Sequence, residues 1–298
     1  MLCGGIRGLT PGFDQIKLKS ARQPGATWTG TVYNELLPQM KVSANSRTPQ
    51  GLSEVVSRWI GAWRPDRTGL LEWFTQDRGY WYVNPRLAQP WPDTWAKLPR
   101  TLRQFEMTHQ FEHSAAFWYG MPKFDTFAPG GSGGSGFLTL TNIGDQDACP
   151  QLLCYGPGTF EFSNGVSTGT NTTITFGPLE DGQVVLLDTR TRMQAVIDLT
   201  QGTPTLPVTP SQKMLETIIN WVSNNNVPPL LQKFESLFGI PAPQGPLQSL
   251  LTGMFTNPIA GVAQPSDAVA APIAVTITGG TAASKVVARL DPMRVWPE

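Results

Sequence analysis

Residues 138–158, LTLTNIGDQDACPQLLCYGPG, decide the fold class. Leucine and threonine alternate over residues 138–141, which is the period-2 pattern of a half-buried strand. The residues that follow favour a turn, because they tolerate left-handed backbone or cap it: Asn142, Gly144 and Asp145. An apolar run resumes at Leu152 and ends at the Gly-Pro-Gly of 156–158. The stretch predicts two strands around a turn, and it holds no nucleophile, metal cluster or phosphate loop.

The composition favours burial against other subunits. Charged residues make up 15% of the 298 residues, below the usual quarter, and 22 basic and 22 acidic side chains cancel. A neutral chain lacks the electrostatic footprint of a nucleic-acid-binding protein, and zero net charge does little to keep copies apart. Ten tryptophans and fourteen phenylalanines add apolar surface. An intramolecular core remains the alternative use of these rings.

Cysteine spacing and hydropathy indicate in which cellular compartment the chain is expected to be made. Cys3, Cys149 and Cys154 show no C-x-x-C spacing, so we expect no disulfide framework and synthesis in a reducing compartment. Cys149 and Cys154 are predicted to be small core residues. The N-terminal stretch has no apolar signal region, and no apolar run reaches the 18 residues that a membrane span needs. We therefore expect neither secretion nor membrane insertion.

The first half of the chain reads as β structure with one helix. Strands are predicted from Phe13 onward, with candidates over 16–18, 28–33, 40–42, 70–75, 80–83 and 102–113. Thr48 and Pro49 begin a helix as N-cap and first helical residue. Its apolar residues form one stripe that ends near Arg64: Leu52, Val55, Val56, Trp59, Ile60 and Trp63. Residues 1–128 are predicted to form a mainly β domain.

A Gly/Ser-rich run, GGSGGSG over 130–136, is predicted to be a flexible linker over residues 129–137 and the domain boundary. Its hinge residues are Gly130, Gly131, Gly133, Gly134 and Gly136. The run also matches G-x-S-x-G and G-x-G-x-x-G. Because both motifs need a following helix and a strand is predicted here, we treat the matches as accidents of composition.

The second half, residues 138–298, is predicted to be a β-sandwich with a helical insertion. Strands at 159–162, 172–176, 184–188 and 193–199 have sandwich-like spacing. Three helices are predicted within the insertion, about 208–265, from the apolar stripes of residues 215–222, 230–238 and 247–255. The β pattern returns at 273–277, 285–290 and 293–296, which would complete the sheet.

The sharpest catalytic match is His109-Gln-Phe-Glu112-His113, which fits the zinc motif H-x-x-E-H. That motif needs a helix to bring both histidines to one metal. Alternation over this region instead predicts a strand, which would separate His109 and His113 by about 13 Å and turn Glu112 to the opposite face. We therefore expect no catalytic residue, metal or cofactor, and no enzyme.

The aromatic residues leave two interpretations open. Six of the eight tryptophans of the first domain could form a sugar platform, but such residues more often belong to a core or a subunit interface: Trp59, Trp63, Trp73, Trp81, Trp91 and Trp95. For an interface, the candidate residues are Trp59 and Trp63 on the helix and Phe234 and Phe238 in the insertion.

Three stretches resemble the distal tail proteins of long-tailed phages (siphovirus minor tail proteins): residues 140–158, 172–196 and 274–298. The resembling pattern is the L-T-N-x-G-D turn, a proline, an apolar strand ending in glycine, and the acidic strand end Leu186-Leu-Asp188. It covers most of residues 13–200 and 272–298. The insertion and the opening MLCGGIRGLTPGF depart from the family pattern.

The resemblance implies an N-terminal split β-barrel-like domain with one helix and a C-terminal galectin-like β-sandwich. It implies a virion structural protein, a homohexameric ring that joins the tail tube to the tail tip or baseplate. The expected partners are further copies of the chain, tail tube protein, tail-tip or baseplate proteins and tape measure protein. The expected location is the virion tail, after assembly in the host cytoplasm. The alternative is a carbohydrate-binding module that attaches to host glycans.

Overall fold

A computed structural model describes residues 5–20, 24–91, 103–167, 172–190, 194–200 and 246–298. Within these residues the fold is mainly antiparallel β structure with one α-helix, which confirms the predicted fold class. The chain forms two compact units. The first comprises Met1–Tyr119 with Arg294–Glu298, and the second comprises Gly120–Met293. No helix of the described residues is long and apolar enough to cross a membrane.

The first unit holds three small sheets. Its elements are β1 (Ile6–Arg7), β2 (Phe13–Leu18), β3 (Thr27–Tyr33), β4 (Gln39–Asn45), α1 (Pro49–Ala62), β5 (Leu71–Thr75), β6 (Gly79–Val83), β7 (Arg86–Leu87), β8 (Gln104–Glu112) and β9 (Trp118–Gly120). One sheet has the order β1-β4-β8-β7, and β2 and β3 form a second sheet alone. The third contains β5, β6, β9 and β20 (Met293–Arg294). The predicted hairpin over 70–83 is confirmed as β5 and β6.

Helix α1 begins as predicted. The Thr48 hydroxyl accepts a hydrogen bond from the Gly51 amide at 3.1 Å, which satisfies one of the amides left free in the first helical turn. Leu52 and Val56 are buried against Ala44 of β4 and Met107 of β8. Of the predicted stripe, Val55 is exposed. The buried stripe is therefore narrower than the sequence suggests and centres on Leu52 and Val56.

Strand β8 shows the alternation that the sequence predicts. Met107, His109 and Phe111 are buried on one face, whereas Glu112 lies on the other and bonds Arg86 at 2.9 Å. A strand cannot bring His109 and His113 to one metal as a helix does. The H-x-x-E-H match therefore falls on a strand and its end, as predicted, and lacks the helical geometry that the zinc motif requires.

The second unit is a β-sandwich. Its strands are β10 (Lys123–Phe127), β11 (Gly133–Thr141), β12 (Gln151–Tyr155), β13 (Gly158–Ser163), β14 (Thr173–Leu179), β15 (Val184–Asp188), β16 (Ala195–Asp198), β17 (Leu251–Thr252), β18 (Ala270–Thr278) and β19 (Lys285–Leu290). One sheet has the order β10-β19-β12-β15-β16, and the other β11-β18-β13-β14-β17. Buried apolar side chains from both sheets form a single core between them.

The linker prediction over 129–137 requires correction, because the Gly/Ser run becomes strand β11 at Gly133. This strand pairs with β18 over its whole length, from Gly133 opposite Thr278 onward. A Cβ on Gly133 would lie 2.5 Å from the Ile277 carbonyl oxygen, and one on Gly136 would overlap the Phe127 ring. The two units divide between Tyr119 and Gly120. Glycine here permits close packing, whereas the same composition predicts flexibility.

The turn predicted at 142–145 joins two strands, but these strands do not pair as a hairpin. Strand β11 belongs to one sheet and β12 to the other, so the turn carries the chain across the sandwich instead of joining paired neighbours. The turn chemistry is as predicted, since the Gly144 amide donates to Asn142 Oδ1 at 3.0 Å. The residues recognised as a turn therefore form a corner between two sheets.

The predicted helical insertion, about 208–265, can be compared with the structure over residues 246–265, and there it differs from the prediction. Its first two helices, with Phe234 and Phe238, lie outside the described residues. The third predicted helix is a 3-10 helix over Pro246–Leu250 followed by β17, which pairs with β14. Phe255 is buried in the sandwich core. These apolar residues thus complete the sandwich. A 3-10 turn followed by an edge strand can bury apolar residues at the same sequence spacing as a short α-helix does.

Candidate assembly surface

Strands β2 and β3 form a ribbon with unusual exposure. They pair with each other, and no third strand joins them in the part of the chain that the structure describes. Every residue of β2 is exposed, and β3 is mostly exposed. A two-stranded hairpin without further packing is at best marginally stable in water. The ribbon β2–β3 is therefore a candidate for contact with another molecule.

Both faces of the ribbon carry exposed apolar residues. Cross-strand partners share a face, so Phe13 lies beside Tyr33, with ring centroids 6.5 Å apart. Trp28 is 60% exposed on the same face, where a bulge after Ile16 places it opposite Lys17. The opposite face carries apolar residues as well: Ile16, Val32 and Leu18, the last of them 64% exposed. Neither face provides the buried side that a stable hairpin requires.

The base of the ribbon is fixed to the first unit. The Asn34 amide donates to the Gly12 carbonyl at 2.8 Å, and Asn34 Nδ2 donates to the Asp14 carboxylate at 3.1 Å. The Tyr33 ring meets the Phe117 ring edge-on, with centroids 5.1 Å apart. The ribbon is thus presented in a defined direction, which lowers the conformational cost of binding.

The chemistry of the ribbon suits a protein partner. Its outer backbone N–H and C=O groups form strand edges that another chain can extend, and exposed apolar area of this kind marks interaction sites. Asp14 and Lys17 are the charged residues of β2 and β3, so association would desolvate little charge. Burying one large apolar side chain stabilises a contact by about 1.5–3 kcal/mol.

The predicted interface residues of α1 pack within their own unit. Trp59 and Trp63 are half-buried and meet edge-on, with ring centroids 5.9 Å apart. Trp63 contacts Phe111 at 4.5 Å, and Trp59 approaches His109 at 6.0 Å. These rings help to hold the helix on its sheet. The other two predicted residues, Phe234 and Phe238, lie outside the described residues.

The tryptophans of the first unit do not form one exposed platform. Trp81 is fully buried, its indole N–H donates to the Arg78 carbonyl at 2.8 Å, and the Arg294 guanidinium lies 5.3 Å from its ring centre. Trp95 lies outside the described residues. A sugar platform that includes Trp81 is therefore excluded by burial.

Both histidines are buried and neutral at pH 7. Burial lowers the pKa of His109 to about 4, and Trp91 packs against its ring with centroids 4.3 Å apart. Burial likewise lowers the pKa of His113 to about 4, although a bond between its Nδ1 and the Asn84 carbonyl opposes the shift. No group of three or more His, Cys, Asp or Glu side chains that could hold a metal occurs among the described residues.

The predicted turn residues Asn142, Gly144 and Asp145 make close contacts within the second unit. Asn142 is buried, and its Nδ2 donates to the carbonyls of Gln146, Ile259 and Ala260 at 2.9–3.2 Å. Gly144 leaves no room for a side chain beside the Met293 backbone. Asp145 accepts from Gln146 Nε2 at 3.0 Å. In the Gly/Ser run, Gly130 has a positive φ of 74°, and a side chain on Gly130 or Gly131 would meet open space.

The sequence predicts the two ribbon strands but not their exposure. One feature of the sequence could have indicated this exposure. Apolar residues lie on both faces of the ribbon strands, so neither face is suited to water: Phe13, Ile16, Leu18 and Trp28. Alternation shows which residues share a face. It does not show whether a strand has neighbours.

No protein-family model matches the chain, and no curated protein matches it significantly in sequence. Solved structures do resemble it. The Dit protein of phage SPP1, described as a paradigm of the hub adsorption apparatus in phages infecting Gram-positive bacteria, matches with a TM-score of 0.53 and 8% identity over 98% of this chain and 93% of its own. Two structures of the phage P2 baseplate in its activated conformation, with Ca and with Sr, give TM-scores of 0.45 and 0.46 at 10% identity, covering 98% of this chain and 92% and 90% of theirs. The chain thus has a fold similar to that of the SPP1 Dit protein, and the resemblance drawn from the sequence is confirmed at the level of the fold.

Proposed function

We propose that this protein is a non-enzymatic structural subunit of a phage tail, and that six copies form a closed ring at the distal end. The observation that carries the proposal is the ribbon β2–β3, whose two apolar faces need a partner. The fold similarity to the SPP1 Dit protein supports a role in a tail hub. The ring would join the tail tube to the tail-tip or baseplate proteins, with tape measure protein as a further contact.

A ring follows from the kind of contact that the ribbon offers. The ribbon of one copy would bind a different surface on the next copy, and such head-to-tail contacts close into a ring when the rotation allows it. The zero net charge opposes this association little. We assign ring formation to the first unit, which carries the ribbon, and an outward position to the sandwich.

The proposal is tested by native mass spectrometry and electron microscopy of the purified protein. We expect a six-membered ring for the unmodified chain. Replacing Ile16 and Leu18 by lysine should yield monomers with an unchanged circular dichroism spectrum, because the ribbon is already exposed in the single chain. The control is Phe74→Lys, which changes an exposed residue of β5 outside the ribbon and should leave the ring intact.

Two outcomes would contradict the proposal. If the ring persists in the Ile16→Lys, Leu18→Lys variant, the ribbon is not the assembly surface. If the unmodified chain stays monomeric at every concentration and with tail partners present, the chain is not a ring subunit.

A further inference from the structure

One face of the hairpin β5–β6 combines aromatic rings with a carboxylate. The strand register places Glu72 opposite Tyr82 and Phe74 opposite Tyr80, so these four side chains share a face, which we call the aromatic face. Phe74 is 74% exposed, the largest exposed fraction of any aromatic side chain within the described ranges. Glu72 is exposed as well, whereas Tyr80 is half-buried. The aromatic face thus presents rings and a carboxylate to water side by side.

The groups of the aromatic face are held in place by the first unit. The Tyr80 hydroxyl donates a hydrogen bond to Glu72 Oε1, and the Tyr80 ring stacks on the buried Tyr82 ring with centroids 6.1 Å apart. Burial and the bond to Glu72 raise the pKa of Tyr80 to about 12, so its hydroxyl stays protonated at pH 7. On the reverse side of the hairpin, Trp81 is fully buried. Because these groups are fixed in advance, a ligand would lose little free energy in ordering them.

The carboxylate decides which class of ligand the aromatic face suits. Glu72 is the one charged residue of strands β5 and β6. A nucleic acid or an acidic polysaccharide would bring like charge against it. An apolar protein surface would bury the carboxylate without a cation, which opposes binding. The ribbon β2–β3 suits such a surface better, because most of its residues at the exposed ring positions are apolar.

A neutral saccharide matches both parts of the aromatic face. A sugar ring presents C–H groups on its flat side, and such groups pack on aromatic rings. Its hydroxyls project from the edge and donate to carboxylate oxygens. Phe74 supplies the exposed ring, on a strand at the edge of its sheet. Glu72 Oε1 already accepts from Tyr80, so Oε2 of this exposed side chain is the acceptor for a ligand hydroxyl.

We propose that the aromatic face binds a neutral saccharide, with Phe74 stacking on a sugar ring and Glu72 accepting a hydrogen bond from a sugar hydroxyl. This inference adds a ligand site to the first unit, goes beyond the proposed ring and does not depend on it. The sugar platform considered from the sequence included Trp81, which is buried. The aromatic face lies on the other side of the same hairpin and is made of different residues.

Isothermal titration calorimetry of the full chain with maltohexaose, cellohexaose, laminarihexaose and chitohexaose tests the proposal. We expect at least one of these sugars to bind with a Kd of about 1 mM or lower. Phe74→Ala should weaken that binding about tenfold, because it removes the stacking ring. Glu72→Gln keeps an acceptor for the Tyr80 hydroxyl but should weaken binding severalfold, because the acceptor for the sugar is no longer charged. Phe137→Ala removes an exposed phenylalanine of β11 and, as the matched control, should leave the affinity unchanged.

Four outcomes would overturn the proposal. None of the four sugars binds, or Phe74→Ala binds as tightly as the unmodified chain. Phe137→Ala loses binding while Phe74→Ala keeps it, which would assign the sugar site to the sandwich. A hexalysine peptide binds in place of the sugars and is released by Glu72→Gln and by high salt, which would make the ligand a cation. The Ile16→Lys, Leu18→Lys variant should keep the affinity per chain, so a failed ring and a failed sugar site are separate results.

Discussion

Lowering the pH from 7 to 4.5 is expected to destabilise the first unit selectively. His109 and His113 are the two histidines of the chain, and both are buried there. Each has a pKa of about 4 in the folded chain, against 6.5 for an exposed histidine, because burial disfavours the charged ring. As the pH falls below 6.5, the two histidines therefore bind protons in the unfolded chain but stay neutral in the folded chain.

The magnitude follows from this difference in pKa. One pH unit of differential protonation is worth about 1.4 kcal/mol, so each histidine removes roughly 2–3 kcal/mol of unfolding free energy by pH 4.5. The stabilisation is complete above pH 6.5 and disappears as the pH falls toward 4. Two such losses are comparable with a typical domain stability of about 5–15 kcal/mol.

Urea unfolding followed by tryptophan emission measures this effect. All tryptophans except Trp221 belong to the first unit, so their emission reports that unit. The midpoint should fall steadily between pH 6.5 and 4.5. His109→Phe replaces the titrating ring by an aromatic one beside Trp91 and should remove about half of the pH dependence. The reasoning is refuted if the midpoint is constant over this range, or if His109→Phe combined with His113→Phe leaves the slope unchanged.

Two further predictions concern the sandwich. Gly136→Val should lower the unfolding free energy of the second unit by about 1–3 kcal/mol, because its side chain must displace the Phe127 ring. Gly131→Ala, in open space, should stay within about 0.5 kcal/mol; equal costs in calorimetry would disprove the packing role. Asn142→Ala should cost about 2–4 kcal/mol, because it leaves the buried Gly144 amide without its acceptor and removes the donor to the Gln146 and Ala260 carbonyls. A change below about 0.5 kcal/mol in chemical denaturation would show that water replaces the side chain.

Local signals in the sequence predict much of the fold. Strand β8 alternates over its whole length, and α1 starts with a threonine cap followed by proline, so short-range patterns suffice for both. The predictions that the structure corrects concern sequence patterns that are compatible with two different structures. A Gly/Ser run makes a flexible linker or permits close packing, and the presence of Phe127 over Gly136 decides between them. That contact depends on the tertiary fold.

The candidate assembly surface was harder to predict than the fold. Apolar residues such as Leu18 and Trp28 indicate burial, and their sequence does not say whether the burial is internal or in a partner. In the described part of the chain no third strand joins the ribbon, so burial of these side chains would have to come from elsewhere. Trp59 and Trp63 show the same ambiguity. Trp63 contacts Phe111 of its own sheet, yet both tryptophans are only half-buried, so an interface role for them stays a prediction.

The packing of Arg294 against Trp81 has a consequence for synthesis. Arg294 is buried within the first unit, yet the whole second unit precedes it in the chain. At about 5–20 residues per second, the ribosome needs on the order of ten to thirty seconds to make the roughly 170 residues between Tyr119 and Arg294. During that interval the sheet around Trp81 lacks one of its strands. Completion of the first unit is therefore coupled to completion of the second, which favours the entry of full-length chains into an assembly.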